Sequence, residues 1–268
     1  MKEFFDVTVL AILQGVAEFL PISSSGHLVI LQHLLDVPED IRLRLEVFLH
    51  AGTLIAVFAF YCKRIGAILK GLVANDAGAR RNSWEYVLKL LISALPAVIV
   101  YFMFKHSIES LVENARMVGA LLMFTGAVLV GTRYLPRGSR DIDWLRAFLM
   151  GCGQALALLP GVSRSGMTLA TARGGRVDPE KSAEFSFLMS APLIAGAALL
   201  EVLKSLRVAA EAPSGAEIGW GLTIYGTLVA AVVGFFSLKL LVVALKGRWF
   251  WIFGPYCLAA GLLTLILI

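Results

Sequence analysis

Apolar stretches long enough to cross a bilayer follow one another along most of this chain, separated by short polar loops. A spanning helix needs about 20 largely apolar residues, with a lower limit of about 17. Six segments come close: roughly 47–62, 86–104, 117–133, 182–203, 218–245 and 249–268. The first is short, and the fifth is long enough to tilt or to include an interfacial turn. Two other apolar regions depart from the pattern. Residues 4–35 carry Gln14, Glu18, Pro21, three serines and His27 in their middle, and residues 145–173 carry Gln154, Pro160, Gly161, Ser163, Arg164 and Ser165 in theirs. Each reads as helix, break, helix, the sequence form of a re-entrant hairpin. Non-helical backbone at membrane depth is tolerated only where protein buries it or where it lines a wet cavity. The expected fold is therefore an all-α integral membrane protein with about six transmembrane helices and two re-entrant hairpins, forming a single membrane domain over 1–268. The stretch 4–20 follows Lys2 as a signal peptide would. Asp6, Gln14 and Glu18 interrupt it and no small-residue cleavage site follows, so it is expected to belong to the mature protein.

Composition sharpens this picture. Apolar side chains make up 58% of the residues and charged ones 16%, with a mean hydropathy of +0.80. Soluble domains carry about 25% charged residues, so a soluble enzyme and a disordered chain are both excluded. The net charge of +5 first suggests an acidic partner. Of the 24 Lys and Arg residues, however, 14 fall in 62–85, 133–146, 173–181 and 246–248, which share one side of a six-span topology, and 7 fall on the other. The positive-inside rule makes the richer side cytoplasmic and puts both termini outside. Most of the surplus charge is thus a topology signal, and no nucleic-acid partner is expected. Cys62, Cys152 and Cys257 lie far apart, which gives no disulfide framework and no metal-ligand spacing.

The two broken segments resemble each other. QGVAEFLPISSSGHL (14–28) against QALALLPGVSRSGMTL (154–169), at a shift of 140, pairs Gln14 with Gln154, Ser23 with Ser163, Ser25 with Ser165 and Gly26 with Gly166. Pro21 meets Pro160 after a one-residue insertion. Three spans separate the hairpins, so the halves, roughly 1–135 and 141–268, would be inverted repeats. Such repeats put their functional site near the midplane, between them. The plainer reading is two Ser/Gly-rich helix-packing segments alike by chance.

The polar residues of these breaks carry the candidate chemistry. Gln14 and Glu18 are four apart and share one helix face. A carboxylate in an apolar segment costs about 2.5–3.5 kcal/mol and is a functional candidate by default; its plainer role is to pair with Arg164 and hold the hairpins together. Pro21 ends one helix, and Ser23, Ser24, Ser25 and Gly26 open the next. Serine is a good N-cap, and a helix N-terminus is a ready anion site. The second break repeats this with Ser163, Arg164, Ser165 and Gly166. Two helix N-termini and a guanidinium make an oxyanion receptor suited to phosphate. His27, one turn after Ser23, could reach the same cavity as a general acid, a nucleophile or a metal ligand. His50 could line it from the first span. A site of carboxylate, amide, hydroxyls and phosphate oxygens suits Mg²⁺ or Ca²⁺, bridging the substrate and Glu18.

QGVAEFLPISSSGH (14–27) together with PGVSRSGMT (160–168) resembles the undecaprenyl-diphosphate phosphatase family, also called the bacitracin-resistance family. Its marks are an (E/Q)xxxE pair leading into P-x-S-S-x-G-H, and P-G-x-S-R-S-G-x-T; a further likeness lies at Ser182–Leu188, followed by Ala191 and Pro192. The resemblance spans essentially the whole chain. It implies a bacterial inner-membrane enzyme, with a divalent cation, two inverted repeats and a site open to the periplasm. It would remove the terminal phosphate of the C55 carrier-lipid diphosphate and so serve cell-wall synthesis. Gln14 stands where the motif also allows Glu; a neutral amide brings no metal-binding charge, so it is expected to orient, leaving Glu18 as acid, base or metal ligand. Arg164, Ser23, Ser25, Ser163 and Ser165 would hold the diphosphate with Gln14, Gly26 and Gln154. Ser24 or His27 would attack or position water. The expected partners are a polyprenyl diphosphate and the lipid bilayer, with a homodimer open as an assembly. A secondary transporter or flippase for an anionic headgroup is the other function this architecture fits.

Overall fold

The computed structural model describes residues 2–35, 37, 39–112, 114–211 and 219–267. They form eleven α-helices: α1 (Lys2–Ala17), α2 (Ser24–Leu34), α3 (Glu39–Phe60), α4 (Cys62–Leu72), α5 (Ala77–Val112), α6 (Ala115–Gly131), α7 (Trp144–Leu156), α8 (Arg164–Gly174), α9 (Pro179–Glu211), α10 (Trp220–Lys246) and α11 (Phe253–Leu267). Short 3₁₀ turns follow α6 and precede α11. Among the described residues there is no strand, only one isolated bridge between Arg140 and Val177.

Among the described residues four stretches are long and apolar enough to cross a membrane: Ala77–His106, Ala115–Tyr134, Trp220–Lys246 and Phe250–Leu267. Leu45–Phe60 with Cys62–Leu72 passes as a fifth only when the two are taken together across a 71° bend. These helices leave many large apolar side chains exposed, among them Phe102, Val232, Phe236 and Ile266, as a lipid-facing surface requires. The chain is thus an all-helical membrane protein.

The region 62–85, read from its basic residues as a loop, is largely helical. In α4, Lys63, Arg64 and Lys70 are exposed or face water while Ile68 is buried, so this short helix is amphipathic and suits the membrane surface. Its bend from α3 lets a basic segment leave the apolar layer without unwinding. Helix α5 begins at Ala77, nine residues before the expected span, because Arg80 and Arg81 sit on its exposed face.

Capping and close packing position the centre. Asn114 accepts from the Met117 amide at 3.0 Å and Asp143 from the Arg146 amide at 2.8 Å, starting α6 and α7. Helices α6 and α11 pack backbone to backbone. A Cβ on Gly126 would lie 2.8 Å from the Gly254 carbonyl oxygen, and one on Gly254 would lie 2.7 Å from that of Gly126. Small residues allow this approach where no hydrophobic force separates helix from lipid. Helix α1 packs on α10 and α7 on α5, bringing the α1–α2 and α7–α8 breaks together. A Cβ on Gly26 would lie 3.1 Å from the Cα of Gly161, and Ser165 Oγ donates to the Leu20 carbonyl at 3.3 Å.

Candidate active site

Each break is a corner followed by a capped helix start. At the first, Ser23 has φ +69°, a left-handed conformation that a non-glycine residue holds only when its surroundings enforce it. His27 helps enforce it, because its Nδ1 donates to the Ser23 carbonyl at 2.9 Å. At the second corner Gly161 has φ +95°, and any Cβ there would lie 2.4 Å from the Val118 carbonyl oxygen. Thr125 braces this corner from α6: its hydroxyl donates to the Gly161 carbonyl and accepts from the Ser163 amide, both at 3.1 Å. The caps match. Ser23 Oγ accepts from the Gly26 amide at 3.4 Å and lies 3.4 Å from Ser25 Oγ; Ser163 Oγ accepts from the Gly166 amide at 3.1 Å and lies 3.2 Å from Ser165 Oγ.

Glu18, in the first break, is the hub. Its Oε1 takes a charged hydrogen bond from Arg164 Nη2. Its Oε2 accepts from Ser24 Oγ at 2.8 Å and from Gln14 Nε2 at 3.1 Å, with His50 Nε2 at 3.4 Å. The carboxylate is buried, with 6% of its side chain exposed. Breaking a buried pair by removing one partner costs about 3–5 kcal/mol. Arg164 spends its other arm on Ser190 Oγ at 2.5 Å and lies over the Phe187 ring.

A cavity of about 370 Å³ opens on this group. Its polar wall includes Glu18, Ser23, Ser24, Ser25, His50, Gln154, Ser163, Arg164 and Ser190. Its apolar wall includes Val47, Ala97, Leu158, Leu193 and Ile194. Of the residues singled out by sequence, Gln14 lies behind Glu18 as its donor, and Ser165 and Gly26 lie where the two breaks touch. His27 is set back from the cavity wall: its Nε2 meets the Tyr256 hydroxyl at 2.8 Å and its ring stacks on Tyr256. Its contact with the cavity residues is the hydrogen bond to the Ser23 carbonyl. Ser190 and Thr125 were not foreseen. Ser190 was findable, since the shift that pairs Ser23 with Ser163 also pairs His50 with Ser190.

Among the described residues no three His, Cys, Asp or Glu side chains gather as a metal cage. The donors present are Glu18 and the buried amides of Gln14 and Gln154, whose Oε1 atoms have no hydrogen-bond partner. These hard oxygen donors fit Mg²⁺ or Ca²⁺, provided that the ion takes most of its ligands from the substrate.

This is a membrane protein with a buried acid–guanidinium pair and a serine hydroxyl at the meeting point of two broken helices, the equipment of a phosphoryl-group site. The chain belongs to the family described as bacitracin resistance protein BacA, whose model matches residues 7–263. It is 38% identical over 272 residues to an undecaprenyl-diphosphatase of Rhodopirellula baltica, covering 100% of this chain and 99% of that protein. It is 34% identical over 268 residues to an undecaprenyl-diphosphatase of Halothermothrix orenii, covering 99% and 98%.

Proposed function

We infer that this protein hydrolyses undecaprenyl diphosphate to undecaprenyl phosphate and inorganic phosphate. The observation that carries the reading is Ser24 Oγ donating to Glu18, with the Arg164 guanidinium on the same carboxylate. Arg164 and the starts of α2 and α8 bind the diphosphate, with Ser23, Ser25, Ser163 and Ser165 as donors and Gln14, Gln154 and Gly26 shaping the pocket. Preorganised donors of this kind stabilise the charge spread over the phosphoryl oxygens. Glu18 accepts the proton of the attacking hydroxyl, either that of Ser24 or that of a water Ser24 orients. The anhydride P–O bond breaks and the carrier leaves as its monophosphate; where Ser24 is the nucleophile, water then cleaves the phosphoserine, regenerating the hydroxyl and releasing inorganic phosphate. His27 holds the corner on which Ser24 stands. Glu18 and the amide oxygens of Gln14 and Gln154 would hold a Mg²⁺ or Ca²⁺, which would supply further neutralisation of phosphate charge. The apolar wall formed by Val47, Ala97, Leu193 and Ile194 receives the start of the polyprenyl chain.

In our reading the chain is one domain of six spans, with inverted repeats near 1–135 and 141–268. The element starts support this: α2 and α8 begin at Ser24 and Arg164, and α3 and α9 at Glu39 and Pro179, each 140 apart. The basic side of the chain favours an inner-membrane enzyme with both termini and the cavity mouth periplasmic. A homodimer is compatible with the exposed apolar helix faces. The same repeats suit a headgroup transporter.

Phosphate release from a purified polyprenyl diphosphate, with and without EDTA, tests the reading. Glu18→Gln, His27→Ala and Arg164→Ala should each lose most activity while folding in detergent; wild-type turnover in two of the three would refute the site. Movement of lipid in liposomes without phosphate release would favour the transporter.

A further inference from the structure

Thr125 on α6 braces the corner of the second break, and α11 reaches the corner of the first. Cys257 Sγ donates to the Pro21 carbonyl at 3.5 Å, and the neighbouring Tyr256 meets His27. In the proposed repeat α6 closes the first half and α11 the second, so the last helix of each half braces the other half's break. An exposed tyrosine on a membrane helix commonly serves as an interfacial anchor. Tyr256 is half-exposed, but its hydroxyl lies 2.8 Å from His27 Nε2. The two rings stack, with centroids 5.6 Å apart and planes 11° from parallel.

The far side of the ring fixes the chemistry of this contact. A carbonyl oxygen only accepts, so His27 Nδ1, 2.9 Å from the Ser23 carbonyl, carries the hydrogen. In the neutral ring Nε2 is then a lone pair, and the Tyr256 O–H fills it as donor. No protonation of the ring is required. The tyrosine thereby sets the tautomer and the ring plane, and the ring holds the carbonyl of Ser23 at φ +69°. Ser24 follows directly, with its hydroxyl 2.8 Å from Glu18 Oε2. Tyr256 is not part of the cavity wall, so its influence on the reaction passes through this chain of contacts.

We propose that Tyr256 is a positioning residue: its hydroxyl fixes the His27 ring, which holds the Ser23 corner and so keeps the Ser24 hydroxyl on Glu18. The role rests on the proposed hydrolysis, and it makes Tyr256 and His27 act as one unit.

The test is a double-mutant cycle on the full chain in detergent, read by steady-state phosphate release from a polyprenyl diphosphate. Tyr256→Phe keeps the stacked ring and removes only the hydroxyl. His27→Asn keeps an N–H for the Ser23 carbonyl and cannot reach Tyr256. Each should lower kcat by about 3–10-fold, the weight of one net hydrogen bond, with KM within about twofold of wild type. The double variant should be no slower than His27→Asn alone. Additive losses, a wild-type kcat in folded Tyr256→Phe, or a loss confined to KM each overturn the proposal. Should Tyr256→Phe not fold, His27→Asn decides, and its wild-type kcat overturns the proposal. Nitrogen NMR of isotope-labelled histidine checks the contact without turnover. Tyr256→Phe should move the His27 Nε2 signal, assigned by its loss in His27→Asn, and an unmoved signal overturns the proposal. No phosphate release by the wild type would instead refute the proposed function, with the nitrogen signal still deciding the contact.

Discussion

The breaks at 18–23 and 157–163 share their cap geometry and their paired serines and differ in the charged and reactive side chains beside them. Both start a helix with a serine that accepts from the amide three residues on, and both turn a left-handed corner. Yet the first carries Glu18, Ser24 and His27 where the second, at a shift of 140, carries Leu158, Arg164 and Met167. The first corner is strained and held by a histidine; the second is a glycine braced by a threonine from another helix. The caps are what any pair of anion-binding helix starts needs. In the proposed reaction the divergent positions divide the labour: one break supplies the carboxylate and hydroxyl, the other the cation.

The largest effect should come from the cation side. Arginine groups that neutralise a transferring phosphoryl contribute about 10³–10⁵ in rate. Arg164→Ala should therefore lower kcat/KM by a factor in that range, with both kcat and KM affected, and Arg164→Lys should recover only part, because it keeps the charge but not the fork. Steady-state phosphate release checks this. A change in KM alone would make Arg164 an anchor with no share in the chemical step.

Glu18→Gln comes next. General-base groups contribute about 10²–10⁴, so kcat should fall by that factor with KM little changed, since the amide still accepts from Ser24. Binding of a non-hydrolysed diphosphate, measured by calorimetry in detergent, should persist. If binding is lost while turnover at saturation survives, the division between the two breaks is drawn in the wrong place.

Much of this arrangement is legible in the chain because proline, glycine and clustered serine punctuate an otherwise apolar sequence. Pro21, the Ser23–Ser25 run and the Pro160–Gly166 run mark the breaks without any knowledge of packing. The shift of 140 pairs them. What escapes is whatever depends on distant helices meeting. Ser190 and Thr125 look like ordinary small residues in spans, since serine and threonine also pack helices; only contact with Arg164 and Gly161 gives them work. Spacing favours His27, which lies beside Glu18 and the serines, over His50, whereas the structure lines the cavity with His50 and turns His27 to Ser23 and Tyr256. Helix α4 was hidden because basic residues look the same in a loop and on an amphipathic surface helix.

The smallest effect isolates the bracing. Thr125 is not part of the cavity wall and sits fully buried on α6, joined by both of its hydrogen-bonding functions to the second corner. Thr125→Val keeps the volume but leaves the Gly161 carbonyl and the Ser163 amide without that partner. A buried polar group left unsatisfied costs about 1–3 kcal/mol, so thermal unfolding in detergent should shift down measurably. Arg164 follows Ser163 directly, so its guanidinium should stay within reach of Glu18 through the ion pair itself, and turnover below the unfolding transition should drop only severalfold. The first corner is braced differently, by His27 on the same hairpin and by Ser165 and Cys257, which reach the Leu20 and Pro21 carbonyls from α8 and α11. If Thr125→Val instead abolishes turnover at an unchanged unfolding temperature, the second corner is part of the catalytic geometry and the two breaks share the chemistry more evenly than their residues suggest.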